Sequence, residues 1–233
     1  MDIKLLSGGA ADGLISAMKD AFRSASGCEI TGDFGAVGGM RDRVIAGEAV
    51  EVVLLTKAII DDLGTGGHID VPTTTDIGTV ATSVAVRNGD RVPSMATSKD
   101  LKSAVLAADA IYFPDPEKAT AGIHFANVLR KLDIFDDVAA RLKTFPNGQT
   151  AMRALAAAAE ARPIGSTQVT EILNTAGVAL VGVLPPGCEL VTTYTGAVSS
   201  RAEHPELAAK LLKMLSDPAN QAIRERAGFG PPA

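Results

Sequence analysis

With 233 residues, a net charge of −5 and no cluster of Lys or Arg, the chain lacks the basic surface that holds a phosphate backbone, so a nucleic-acid partner is excluded. Aromatic residues make up 4% and Trp is absent, which rules out stacking platforms as the main recognition device. Hydrophobic content of 46% can bury a sizeable core, yet no apolar run reaches the ~20 residues of a membrane span, so membrane insertion is not expected.

The N-terminus enters a strand pattern directly after Met1 and Asp2, with no basic segment, apolar stretch and small-residue cleavage site to read as a leader. Ile3, Leu5 and Leu6 form a short apolar run that stops at Ser7, Gly8 and Gly9. Leu14, Met18 and Phe22 then recur at spacing four, which predicts a helix with one apolar face. The first amides of a helix have no carbonyl partner and carry the positive end of its dipole, so an anion can rest there. Gly8 and Gly9 keep side chains out of the way, and Ser7 adds a hydroxyl donor. A plain strand-to-helix loop has the same composition; repetition further along is what points to a ligand.

Residues 28–34 read as a second strand, 35–39 as a second glycine turn, and Met40, Val44 and Ile45 as the inward face of a helix that Gly47 ends. Residues 51–55 are a continuous apolar strand of the kind buried on both faces of a parallel sheet. Thr56 is the expected N-cap of the next helix. This β-α-β-α-β-α order implies a mostly parallel sheet covered by helices. Residues 79–87 form a strand without an adjoining helix, read as a crossover between two lobes. A helix over 98–108, a strand over 110–113 and a third turn over 114–122 follow, then a helix with Phe125, Val128, Leu129 and Leu132 inward. An alanine-rich helix is expected over 151–161, and residues 163–168 are read as the turn opening another. Residues 178–183 and 189–198 read as strands, the second returning to the first lobe, and 205–215 and 218–226 as helices.

Thr120, Ala121 and Gly122 repeat the helix-start chemistry, as do Gln149 and Thr150; for the threonines a simple N-cap is the competing reading. Arg41, Arg43 and Arg153 lie near these starts, either as carboxylate clamps or as solvated side chains. His124, one turn into its helix, suits a 1,3-proton shift in an unsaturated acid, because imidazole titrates near neutral pH. A half-buried structural histidine reads the same way. Glu171 is a second candidate base, and His68 and His204 have no partners in sequence. Cys28 and Cys188 fit no metal spacing and read as small buried hydrophobes, their pairing left open. No Ser-His-Asp set, nucleotide-binding loop or His/Cys cluster appears, so no metal and no cofactor is expected.

Five stretches in order carry a family likeness: LSGGAADGL (6–14), FGAVGGM (34–40), GEAVEVV (47–53), DPEKATAG (115–122) and HPELAAKLLKMLSDP (204–218), followed by QAIRERAGF (221–229). Together they resemble the molybdate-binding-protein family of periplasmic solute-binding proteins. The resemblance implies a two-lobed α/β fold, each lobe a mostly parallel sheet flanked by helices, with two crossing strands as hinge. Residues 1–81 and 193–233 would form lobe one and 82–192 lobe two. It further implies a monomer that holds a small anion in an interlobe cleft through Ser7, Gly8, Gly9, Gly38, Gly39, Thr120, Ala121, Gly122, Thr150 and Gln168. A membrane component of an ABC-type transporter would be its partner, and the periplasm its location, with the cytoplasm as the alternative for a chain without a visible leader.

The departures bear on the ligand. Gly9, Val37 and Gln168 stand where molybdate binders present two serines and a tyrosine, so the hydroxyl shell for a tetrahedral oxyanion is largely missing. Residues 165–171 (GSTQVTE) are more similar to the glutamine-bearing turn of a carboxylate subgroup that includes aconitate isomerase. That likeness implies an organic polycarboxylate as ligand or, alternatively, isomerase activity on an unsaturated tricarboxylic acid with His124 as proton shuttle.

Overall fold

The computed structural model describes residues 2–232. The chain divides into two compact units, residues 2–80 with 192–232, and residues 81–191. In the first, β1 (Asp2–Gly8) leads through a 3-10 turn into α1 (Asp12–Ser26), whose Leu14, Ile15, Met18 and Phe22 are buried. Gly27 closes α1 in the left-handed conformation, at φ +74°. Then come β2 (Glu29–Gly35), α2 (Val37–Ile45), β3 (Val52–Thr56), α3 (Lys57–Thr65) and β4 (Ile69–Arg87), which runs on into the second unit. β1 lies between β2 and β3 and is parallel to both, with Gly8 opposite Gly35 and Ser7 opposite Leu54. Every residue of β3 is buried, as its apolar sequence requires.

The second unit continues with α4 (Ser98–Ala107), β5 (Ala110–Pro114), α5 (Thr120–Lys131), the single turn α6 (Phe135–Val138) and β6 (Leu142–Phe145). It ends with α7 (Gly148–Ala156), β7 (Pro163–Gln168), α8 (Val169–Leu173) and β8 (Val178–Val183). α4 opens on a capping box in which Thr97 and Asp100 each bond the other's backbone. β5 is parallel to β6 and β7, while β4 is antiparallel to β7 and β8. The chain returns to the first unit with β9 (Val191–Ser199), antiparallel to β3, then α9 (Pro205–Ser216) and α10 (Gln221–Arg226). Among the described residues no helix is long and apolar enough to cross a membrane.

The sequence reading needs five corrections, the first being that Ile45, expected on the inward face of α2, is 51% exposed while Val37 and Val44 are buried. Residues 163–168, expected as the turn opening a helix, are the buried strand β7, hydrogen-bonded to β4 on one side and β5 on the other. Gly165 explains how: a Cβ there would lie 2.7 Å from Met152 and 2.8 Å from Leu155, so α7 packs directly on the strand backbone. β6 was not anticipated from LKTF, a stretch half exposed at the sheet edge. The alanine-rich helix ends at Ala156 rather than 161, and beyond it the carbonyls of Ala158 (2.5 Å) and Glu160 (3.3 Å) accept from the Arg87 guanidinium instead of continuing the helix. β4 starts at Ile69, ten positions before the expected strand.

Each unit follows one rule. Three parallel strands end at a common edge and each hands over to a helix there, so the uncapped amide ends of α1, α2 and α3 gather at one edge of the first unit. The starts of α5 and α8, uncapped, and of α7, capped by Asn147, gather at one edge of the second.

Candidate functional site

In the first unit the edge is built from the two glycine turns. Gly8 is held where a Cβ would lie 2.8 Å from Val37 and 2.9 Å from the Tyr194 ring, so the β1 turn is pressed against the start of α2. Met40 N–H makes the first helical bond of α2, to the Ala36 carbonyl at 3.1 Å, and no side chain caps the helix ahead of it. The amides of Val37, Gly38 and Gly39 are therefore the donors of that turn. Ser7 is fully buried and donates its hydroxyl to the Gly8 carbonyl at 3.0 Å. Gly9 begins the 3-10 turn that precedes α1. Tyr194, buried against Phe229 with ring centroids 6.1 Å apart, is brought to this edge by β9, where nothing in the local sequence marks it.

In the second unit the sheet separates two faces. Val84, Val86, Ile111, Phe113 and Ile164 pack with Phe125 and Leu129 of α5, while Ala85, Ala110 and Tyr112 pack with Met152 and Leu155 of α7. Side chains alternate along a strand, so Ser166 and Gln168 share the α5 face with Ile164, and Thr82, directly opposite Gln168, shares it with Val84. Thr82 is 1% exposed and its hydroxyl has no hydrogen-bond partner among the described residues. Thr170, the second residue of α8, is likewise buried with an unpartnered hydroxyl.

α5 starts at that same edge. Ile123 N–H bonds the Ala119 carbonyl at 2.9 Å, no side chain caps the helix, and Thr120, Ala121 and Gly122 supply the leading amides. Asp115 braces the turn before it by accepting from the Glu117 and Lys118 amides at 2.7 and 3.0 Å. A Cβ on Gly122 would lie 2.3 Å from the carbonyl oxygens of both Pro114 and Asp115, so only glycine lets the helix start so close to β5.

The α7 face is different in kind, because its helix start is already filled. Glu171, 6% exposed, accepts from Thr167 Oγ1 at 2.5 Å and from the backbone amides of Gln168, Gln149 and Gly148. Burial pushes its carboxyl above the usual carboxylate range, against the lowering effect of these donors. With its oxygens so occupied, Glu171 is a structural acceptor rather than an accessible base. Thr150 gives both its amide and its hydroxyl to Asn147 Oδ1, each at 2.8 Å.

His124 Nε2 lies 2.8 Å from the Cys188 carbonyl. A carbonyl only accepts, so Nε2 carries the proton and Nδ1 is the ring nitrogen left to act as a base. Both cysteines are buried free thiols, and burial pushes the Cys188 thiol up. No group of three or more His, Cys, Asp or Glu that could hold a metal ion occurs among the described residues.

Arg43 is committed elsewhere: Nε and Nη2 grip both oxygens of Glu48 at 2.6 Å, and Nη2 also reaches Asp33. Arg43, followed by Lys4, lowers Glu48 from its ordinary 4.5 to about 2. A depressed carboxylate contributes stability that is present above the ordinary value and is lost as pH falls through the folded one. Urea denaturation of the wild type and Glu48→Gln should therefore give stabilities that converge between pH 4.5 and 2. A constant difference across that window would show that the pair contributes no proton-linked stability.

Residues 3–230 match the model of the family described as bacterial extracellular solute-binding protein. The chain is 25% identical to aconitate isomerase from Pseudomonas sp. over 237 aligned positions, covering 98% of this chain and 87% of that protein. Its fold is similar to the Azotobacter vinelandii periplasmic molybdate-binding protein, with TM-score 0.81 at 16% identity, covering 99% of this chain and 100% of the other. It is also similar to the sulfate-binding protein of Mycobacterium tuberculosis H37Rv, with TM-score 0.79 at 18% identity, covering 99% and 87%.

Proposed function

The chain belongs to the bacterial extracellular solute-binding proteins, and on that premise we propose that it captures a small anion, an organic carboxylate in preference to a tetrahedral oxyanion, for delivery to an ABC-type membrane importer. One observation carries the reading. The hydroxyl of Thr82 is buried and unpartnered on the face, and at the edge, where the uncapped start of α5 presents its amides. An unsatisfied buried hydroxyl costs free energy, and a ligand oxygen held by the amides of Thr120, Ala121 and Gly122 would relieve that cost. Gln168 stands directly across the strand pair from Thr82 and adds an amide side chain suited to a carboxylate. The amides of Gly8, Gly9, Gly38 and Gly39 in the first unit, next to Ser7, are donors of the same type.

The test is a thermal-shift and calorimetric screen with molybdate, tungstate, sulfate, phosphate, citrate, fumarate and trans-aconitate. A ligand that binds only the folded state raises the melting temperature. Thr82→Val and Gln168→Ala should each weaken the best carboxylate by more than about tenfold, since truncation leaves ligand oxygens unpaired. Unchanged dissociation constants would remove both residues from the site.

The likeness to aconitate isomerase along nearly the whole chain favours a second reading, isomerisation of an unsaturated tricarboxylic acid. His124 Nδ1 would then take the proton from one carbon and return it two carbons along. Conversion of trans-aconitate to an isomer with a shifted double bond, followed by proton NMR and abolished in His124→Gln, is the expected signature; an unchanged substrate spectrum with bound ligand leaves the binding role alone.

A further inference from the structure

We propose that Glu171 sets the charge of the ligand: it is the anion that fills the start of α7, so the second unit accepts one external anionic group, at α5, and disfavours a second. The inference rests on the reading of the α5 start as an anion site. α5 and α7 follow the adjacent parallel strands β5 and β6, and either helix start would attract a negative group. The protein treats the two differently. α5 is uncapped, whereas the start of α7 encloses the Glu171 carboxylate with Thr167 Oγ1 and three backbone amides.

The cradle is shaped for that carboxylate. A Cβ on Gly148 would lie 1.9 Å from Glu171 Oε2 and 2.0 Å from Thr167 Oγ1, so only a glycine lets α7 start against the carboxylate. Thr167 Oγ1 and three backbone amides converge on two oxygens, and their pull toward the ionised form acts against the burial that pushes the carboxyl up. A full negative charge against the half positive charge of a helix end leaves this side of the edge net negative. Glu171 sits three positions after Gln168 and bonds the Gln168 amide, so the resident charge adjoins the proposed ligand contact. Across a charge separation of about 12 Å at an effective dielectric of about 20, it should weaken each added ligand charge by roughly tenfold.

Calorimetry on the whole chain with fumarate, a dianion, and trans-aconitate, a trianion, tests this at low ionic strength. Glu171→Gln keeps the shape and removes the charge. The expected result is a gain in trans-aconitate affinity about tenfold larger than the gain for fumarate. Equal changes for the two probes would overturn the charge filter while leaving the anion site standing. If wild type binds neither probe, the carboxylate-binding reading falls first and the filter falls with it. Should the Gln variant fail to fold, Glu171→Ala refilled with formate or with neutral formamide makes the same comparison. Formate should restore the wild-type ratio of affinities and formamide should shift it toward trans-aconitate; the same ratio with both additives would overturn the proposal.

Discussion

Replacing Gly148 with alanine is expected to destabilise the protein by about 3 kcal/mol in urea denaturation, the sum of overpacking and of buried hydrogen bonds forced apart. The added Cβ would fall 1.9 Å from Glu171 Oε2 and 2.0 Å from Thr167 Oγ1, both buried, so the carboxylate would have to leave the amides it serves. The two sites are coupled, which gives the prediction a second edge. Once Glu171 is itself truncated, its clash is gone and only that with Thr167 Oγ1 remains, so Gly148→Ala should cost less in a Glu171→Ala background than in the wild type. Additive losses, or a Gly148→Ala protein as stable as the parent, would mean that the carboxylate does not occupy the start of α7.

Gly122→Ala carries the second large effect, and this one reaches the ligand. Its neighbours are backbone carbonyl oxygens of the β5–α5 turn, 2.3 Å from the added carbon, and a backbone cannot swing aside as a side-chain tip can. A loss of about 2–3 kcal/mol of stability is expected, with a more than tenfold loss of carboxylate affinity as the amides of Thr120, Ala121 and Gly122 are displaced. Gly39→Ala is the control. It also stands in the first turn of a helix and is itself a proposed anion contact through its amide, which alanine keeps, but nothing lies within 4 Å of its would-be Cβ. Alanine there should stabilise the protein by ~0.5–1 kcal/mol, the ordinary helix preference over glycine. Opposite signs at two such similar glycines would show that close approach, rather than residue type, decides the outcome.

The legible parts of the chain were those whose signal is local. The apolar runs of β1, β3 and β5, the spacing of Leu14, Met18 and Phe22, and glycines placed where an apolar run ends all act within a few residues, and all can be read in order. β7 could not be read so. Its residues PIGSTQ hold one large aliphatic side chain, Ile164, and they form a strand because β4 and β5 satisfy its backbone from both sides. Thr82 escaped for the same reason: its place opposite Gln168 exists only once β4 and β7 have paired. Tyr194 is brought against Gly8 by the return of β9 to the first unit.

By itself, then, the sequence determined the α/β class, the repeated hand-over from strand to helix, and the glycines that stand at those hand-overs. Tertiary structure alone decided which of those helix starts remains available. Whether a start is open or filled depends on a side chain arriving from another segment, as Glu171 of α8 reaches α7, and no local pattern encodes that arrival. Hydrogen-bond satisfaction in a buried site is settled by strand order and packing, which sum over the whole unit.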